Sequence, residues 1–461
     1  MIFALAVTVR SLLAVFAPGG GGDTESYTTV ALNVLQNFCV SQSDPSGGQC
    51  LASWGGNQGP GYPAFVALVW ATVGTWEPSV RLVQGVVAGA AIVRLAFAVG
   101  VLTRRRAIAL VCGVVLAVSP LQAAWSRMFL TESLALATTT FVIAELLLSL
   151  ANKKLRVWPL GLTLTLAVFV RYDAALLAIP IAIAALYIHG WRDGIMRGAV
   201  VAAIVTIPLG GWGARGAANE LGWIPPRIAA FEGGDPAYGY FDWASTWSRN
   251  QYERPAWAFP IHVAKYSWIQ IPDHAFRLDA ERTVVNNLLA ELAAYDDQAM
   301  PMHIDAIFAD LARGARVVYP FNTRVVVPLV RAADMWGNPF YSFGWPSEIG
   351  DTRPNPSALI TEKGLFGAVF ELVTQYPSQV FVKGVVGIYR YVLLLVFAGL
   401  LVLAATGRTR GTGAVLVLAL SYAVARTVPF SLSHASETRY MIEAIPLIEV
   451  AVIMWIMGSV R

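Results

Sequence analysis

The sequence predicts an all-α polytopic membrane protein. It reads as a bundle of about ten transmembrane helices with interfacial helices and a small, mostly helical and loop-rich extracytoplasmic segment. Two observations carry this expectation. Of 461 residues, 56% are hydrophobic and only 13% are charged, whereas soluble domains carry roughly a quarter charged residues. The charges also fall in short clusters between apolar runs of about 20 residues, long enough to cross a hydrocarbon layer of ~30 Å. The net charge of +4 averages unlike regions and is no signal for nucleic acid.

The apolar runs cover residues 1–17, 79–102, 107–126, 129–150, 157–171, 172–189, 198–216, 381–406, 412–432 and 438–458. Lys and Arg near helix ends stay cytoplasmic. The basic clusters are Arg104 to Arg106, Lys153 and Lys154 with Arg156, Arg192 with Arg197, Arg408 with Arg410, and Arg461. Two crossings separate each cluster from the next, which places both termini in the cytoplasm and the protein in the cytoplasmic (inner) membrane. The first run lacks a basic start and contains Arg10, so a cleaved signal sequence is the alternative there. Residues 62–76 are apolar but short and read as a helix at the outer interface, anchored by Trp70 and Trp76.

Three parts follow. Residues 1–216 form an N-terminal transmembrane module whose first outer loop, 18–78, carries acids. Residues 217–380 form an extracytoplasmic segment in which acids outnumber bases, and residues 381–461 supply the last crossings. Within 217–380, Leu278–Leu292 and Ile304–Val318 have helical spacing of apolar residues. Trp243–Trp257 and Trp336–Trp345, rich in aromatics and Pro, read as irregular. Cys112 lies in an apolar run and reads as a packing residue. Cys39 and Cys50 share one polar loop; a disulfide and two free thiols both remain open.

The ionisable groups that stand out sit in outer turns. The first is Gly-Gly-Asp23-Thr-Glu25-Ser-Tyr27, in which Asp23 and Tyr27 are four apart and share a face if a helix begins there. Capping of that helix by Asp23 or Thr24 is the plain alternative. The next turn carries Ser-Pro120, Arg127 and Thr131-Glu132-Ser133, where Glu132 also suits a helix N-terminus electrostatically. Then comes Arg171-Tyr-Asp173, which also reads as a simple interfacial pair. The last turn has His434, Glu437, Arg439 and Tyr440. Ionisable groups at such depth are costly unless paired or functional. Acids serve as general bases or metal ligands, and arginines grip phosphate with paired donors. Elsewhere, Arg94 and Arg426 read as satisfying interior polar groups, while Arg10 and Glu145 read as snorkelling from helix ends. Walker A, GxGxxG and serine-hydrolase motifs are absent from the sequence in any fitting context.

The order of these pieces resembles the GT-C superfamily of polyprenyl-phosphate-sugar glycosyltransferases. The closest likeness is to the bacterial branch related to protein O-mannosyltransferases and the aminoarabinose–lipid A transferase. The resemblance rests on Gly-Asp23…Tyr27…Ala31, Gly-Pro60-Gly-Tyr-Pro63, Arg81, Ser-Pro120…Leu-Thr-Glu132, Arg171-Tyr-Asp173 and Glu437-Thr-Arg439-Tyr440…Pro446. It implies a bundle of spanning helices around an extracytoplasmic site. There a sugar passes, with inversion, from a polyprenyl-phosphate donor to a lipid, glycan or protein hydroxyl. Carried over residue by residue, Asp23 is the leading catalytic base. Glu25 or Glu132 would assist or hold a divalent cation such as Mg or Mn. Arg171 and Arg439 would meet the donor phosphate, with Arg81 and Lys265 as further candidates. Tyr27, Asp173, His434, Glu437 and Tyr440 complete the expected site. Many relatives have two adjacent acids in the first motif; here Thr24 intervenes. Two other classes share these features: a transporter or flippase of a lipid-linked sugar, and a ligase using a prenyl-diphosphate glycan.

Overall fold

The computed structural model describes all residues except 17–18, 20–22, 42–58, 219–222, 224–236, 252, 339–355, 376, 408–411, 434–436 and 460–461. The described chain is helical. Its α-helices are α1 (Ile2–Phe16), α2 (Thr24–Asn37), α3 (Gly61–Val73), α4 (Glu77–Thr103), α5 (Arg106–Val118), α6 (Pro120–Ala123), α7 (Thr131–Ala151), α8 (Val157–Val170) and α9 (Ala178–Ala218). There follow α10 (Tyr238–Ala244), α11 (Arg254–His262), α12 (Asp279–Leu292), α13 (Met302–Val318), α14 (Val327–Gly337), α15 (Pro356–Gln375), α16 (Pro377–Ala405), α17 (Gly413–Leu432) and α18 (Ile445–Ser459). Among the described residues there is no β-strand, only an isolated bridge between Gly19 and Met128.

Each of the ten expected apolar runs is helical, so the protein is an all-α polytopic membrane protein. The number of clear spans is smaller than ten. Six helical stretches of the described chain are long and apolar enough to cross a bilayer, or seven if α5 and α6 count as one bent span. The helices α1, α3 and α8 are apolar but shorter. Two of the differences have local causes. The run 107–126 bends by 43° at Ser119-Pro120, because proline has no amide to donate and its ring crowds the preceding turn. The runs expected at 172–189 and 198–216 lie in one stretch broken at Gly190, whose φ of +73° is readily adopted only by glycine.

The chain divides into two compact units. The first comprises Met1–Trp212, Pro339–Tyr422 and Ile442–Arg461; the second comprises Gly213–Asn338 and Ala423–Met441. In the first unit, α7 is buried almost along its whole length, as its all-round apolar sequence requires. Small residues let the helices around it approach closely, the usual device where lipid supplies no hydrophobic drive. A Cβ at Gly89 of α4 would lie 2.9 Å from Val7 of α1, and one at Gly113 of α5 would lie 2.4 Å from Ile2.

The interior charges are paired rather than snorkelling. Glu145 holds Arg94 at 2.6 Å and Arg156 at 2.7 Å. Arg10 is 2% exposed and donates to the Ala117 carbonyl at 2.9 Å. Glu449, in α18, accepts hydrogen bonds from Ser119, Gln122 and Tyr389 at 2.5–2.6 Å. Arg10 and Glu145 therefore differ from expectation for one reason: partners far away in sequence let them stay inside. Cys112 is a buried free thiol. Cys39 is disulfide-bonded, and Cys50 lies outside the described residues.

The second unit is built on aromatic packing. Tyr240, Trp243, Trp247, Trp257 and Phe308 are fully or almost fully buried and meet edge to face or tilted, an arrangement favoured by the ring quadrupole. The amphipathic runs expected at Leu278–Leu292 and Ile304–Val318 are α12 and α13. Trp243–Trp257 is not simply irregular: it joins the end of α10 to the start of α11, which opens with Pro255 in the first turn, where proline is tolerated. Buried Arg331 donates to the carbonyls of Ser248 at 2.7 Å and of Ser431 and Ser433 at 3.0 Å. Burial pushes its guanidinium down to about 10.

Candidate active site

The loop after α1 is laid by its backbone against the turn that precedes α7. The Gly19 amide donates to the Arg127 carbonyl at 3.0 Å, and its own carbonyl accepts from the Phe129 amide at 3.0 Å. Thr24 Oγ1 adds a bond to the Phe129 carbonyl at 3.0 Å. Between these ties sits Asp23, at the start of α2. It makes no side-chain cap. Among the described residues its carboxylate has no hydrogen-bonding or ionic partner. Capping therefore does not account for Asp23, and its carboxylate is available to a ligand.

One turn on, Tyr27 is 3% exposed and packs edge to face on Tyr62, with centroids 4.8 Å apart. Burial, then the charges of Asp23 and Glu132, push its phenol well above its usual range, while a hydrogen bond with Thr131 and the charge of Arg171 act in the opposite sense. Tyr27 thus lies in the field of both Asp23 and the cluster formed around Arg171.

That cluster has three carboxylates about one guanidinium. Arg171 meets Glu132 at 3.1 Å, Asp173 at 3.1 Å and Glu443 at 3.4 Å. Thr131 Oγ1 accepts from Arg171 at 3.4 Å. Glu443 also accepts from Thr139 at 3.4 Å and Tyr422 at 3.5 Å. The sequence places Arg171 and Asp173 together and adds Glu132; the structure adds Glu443. The signal for Glu443 is its charge inside an apolar run, four residues beyond Arg439, at a depth where an acid needs a reason. Arg171, which the resemblance assigns to the donor phosphate, is thus held among three carboxylates.

The Gly-Pro60-Gly-Tyr-Pro63 motif bears on the same cluster. A Cβ at Gly59 would fall 2.1 Å from the Phe169 carbonyl oxygen, and one at Gly61 would fall 2.7 Å from the Phe169 carbonyl carbon. These glycines let the start of α3 rest on the end of α8, immediately before Arg171. Gly61→Ala is expected to displace that end and lower transfer at least tenfold, with a loss of thermal stability of about 1–3 kcal/mol typical of overpacking. Turnover assays and thermal unfolding of the purified chain check both effects.

The remaining expected residues are placed as follows. Glu25 is exposed in the first turn of α2. Arg81 is bonded to Glu77, donates to the Gly19 carbonyl at 3.3 Å and lies 5.9 Å from the centre of the Phe129 ring. It braces the first loop. In the second unit Lys265 pairs with Asp297, and Arg439 pairs with Glu437 while standing over the ring of Tyr440. Tyr440 stacks on Phe430 at 4.4 Å. His434 lies outside the described residues. Among the described residues, no three His, Cys, Asp or Glu side chains are grouped so as to hold a metal ion.

Comparison with known proteins bears on this geometry. Residues 57–212 match the model of the family described as dolichyl-phosphate-mannose-protein mannosyltransferase. The match contains Gly61, Arg81, Glu132, Arg171 and Asp173; Asp23 and the 437–443 segment fall outside it. It supports the resemblance to the O-mannosyltransferase-like branch of the GT-C superfamily. No curated protein matches the chain.

Proposed function

We propose that this chain transfers a sugar, hexose or pentose, from a polyprenyl-phosphate donor to a hydroxyl on a lipid, glycan or protein acceptor. The reaction takes place on the extracytoplasmic face and inverts the anomeric centre. The observation that carries this reading is Asp23: an acid whose carboxylate has no partner among the described residues, acting with Glu132 on the same tyrosine, Tyr27, in a chain whose residues 57–212 match a lipid-phosphate-sugar transferase family.

Asp23 takes the proton from the acceptor hydroxyl as its oxygen attacks the anomeric carbon from the face opposite the phosphate. The bond from that carbon to the phosphate oxygen breaks, and its electron pair leaves with polyprenyl phosphate. Positive charge develops on the sugar ring in the transition state. The carboxylates of Glu132, Asp173 and Glu443, gathered around Arg171, suit that charge, since preorganised charged groups stabilise it strongly. Arg171 is then a positioning residue for the acids. The family resemblance assigns the donor phosphate to Arg439, which pairs with Glu437. The expected divalent cation does not fit the described residues: Glu132 is committed to Arg171 and Glu25 is exposed.

Reconstituted full-length chain, given radiolabelled polyprenyl-phosphate hexose or pentose and acceptor membranes, tests the reading. The expected result is label on the acceptor, one polyprenyl phosphate released per transfer, and the opposite anomeric configuration by NMR. Label that crosses the bilayer still joined to its lipid would instead identify a flippase.

A further inference from the structure

The second unit carries a groove that this chemistry leaves unused. Its cavity is about 430 Å³ and is lined by Tyr238, Phe241, Asp242, Ser245, Arg316 and Leu432, among others. The volume lies in the range of small-ligand sites. The polar groups are concentrated in one pair. Arg316 reaches the Asp242 carboxylate with two nitrogens, one at 2.7 Å, and donates to Ser245 Oγ at 3.0 Å. Tyr238 stands beside this pair, 62% exposed.

The floor of the groove is rigid. The Gly239 and Tyr240 amides both donate to the Asp305 carboxylate of α13, at 2.9 and 2.8 Å. A Cβ at Gly239 would fall 2.0 Å from the Asp305 carbonyl oxygen, so α10 meets α13 at a distance only glycine permits. Tyr238 is thus an exposed ring on an anchored helix, which costs little entropy to order against a ligand.

We propose that this groove binds a neutral carbohydrate, the glycan portion of the acceptor, with Tyr238 as its stacking platform and the Asp242–Arg316 pair as its hydroxyl-binding group. Three properties select that ligand class. The two charges cancel, so neither an anion nor a cation meets an uncompensated partner. A paired carboxylate keeps free lone pairs, and a paired guanidinium keeps free N–H groups, which matches neighbouring hydroxyls that donate and accept together. The flat apolar face of Tyr238 matches the C–H face of a sugar ring. Leu432, the last residue of the membrane-length helix α17, also lines the groove. The role as acceptor subsite rests on the transferase reading; carbohydrate binding itself does not.

Saturation-transfer NMR on the full-length chain in a sugar-free amphipol tests the site, with cellotriose, maltotriose and mannotriose as probes and sialyllactose and spermine as charged controls. At least one neutral trisaccharide should bind, with saturation passing to its C–H protons. Tyr238→Ala and Asp242→Asn should each weaken that binding at least tenfold, while Tyr238→Trp should keep it. Absence of neutral binding, preference for a charged control, or binding untouched by Tyr238→Ala overturns the proposal. Sugar transfer is measured separately on the same samples. Turnover without trisaccharide binding overturns the groove and spares the transfer reading; binding without turnover does the reverse.

Discussion

Asp23→Asn is expected to lower sugar transfer by on the order of 10²–10⁴-fold, the range supplied by a positioned general base. The unfolding temperature should not move. Asparagine has nearly the same shape, and the carboxylate it replaces makes no internal hydrogen bond or ion pair among the described residues, so there is no structural contact to lose. That separation of effects is unusual for an acid at the start of a helix, where a capping residue typically contributes about 1 kcal/mol. Asp23 makes no such cap. Glu25→Gln is the matched control: it removes an exposed acid two residues away and should leave the rate within a few fold. Turnover by Asp23→Asn at the wild-type rate would remove Asp23 from the mechanism, and a collapse in Glu25→Gln would move the base to Glu25.

The second large effect is on stability. Arg171→Met would strand Glu132, Asp173 and Glu443 without their shared cation in a poorly hydrated site. Breaking a buried ion pair by removing one partner costs about 3–5 kcal/mol, so the variant should unfold many degrees below the wild type or fail to accumulate. Arg171→Lys should recover only part of the loss, because one ammonium cannot reproduce a guanidinium fork directed at several carboxylates. Glu443→Gln has a different sign of argument. It removes one of three like charges, and the amide oxygen still accepts from Thr139 and Tyr422. Its cost should stay below about 1 kcal/mol. If Arg171→Met is as mild as Glu443→Gln in thermal unfolding, the cluster is not organised by Arg171.

These expectations also mark where sequence reading succeeds and where it stops. Apolar runs, Pro120 and the amphipathic spacing of 278–292 and 304–318 are local signals, and each corresponds to a helix, a bend or a boundary in the structure. The joint at Gly190 is equally local, though a glycine between His189 and Trp191 does not announce a φ of +73°. The fate of charged residues is not local. Arg10 and Glu145 look like residues that reach for water. Whether they do depends on Ala117 lying 107 residues from Arg10, and on Arg94 lying 51 residues from Glu145. The same limit applies at the site. Arg171 with Asp173 is visible as a short motif, and Glu132 is visible as an outer acid. Glu443 joins them only through the packing of the last helices on α7. Arg81 is likewise visible as a cation early in an apolar run, but its contacts with Glu77 and the Gly19 carbonyl are not.

The close approach of Gly59 and Gly61 to the end of α8 has a genetic consequence. A saturation scan of this gene scored by function would flag these codons as firmly as codon 23, because no side chain fits where the Phe169 backbone already stands. Intolerance at the two kinds of position has different origins and a different pattern. At 59 and 61 every substitution fails, from alanine upward, in proportion to size. At 23 size matters little and the loss of an ionisable oxygen decides, so glutamate should be the least damaging change. The profile of tolerated residues, more than the depth of intolerance, separates the parts of this protein that do chemistry from the parts that hold it in place.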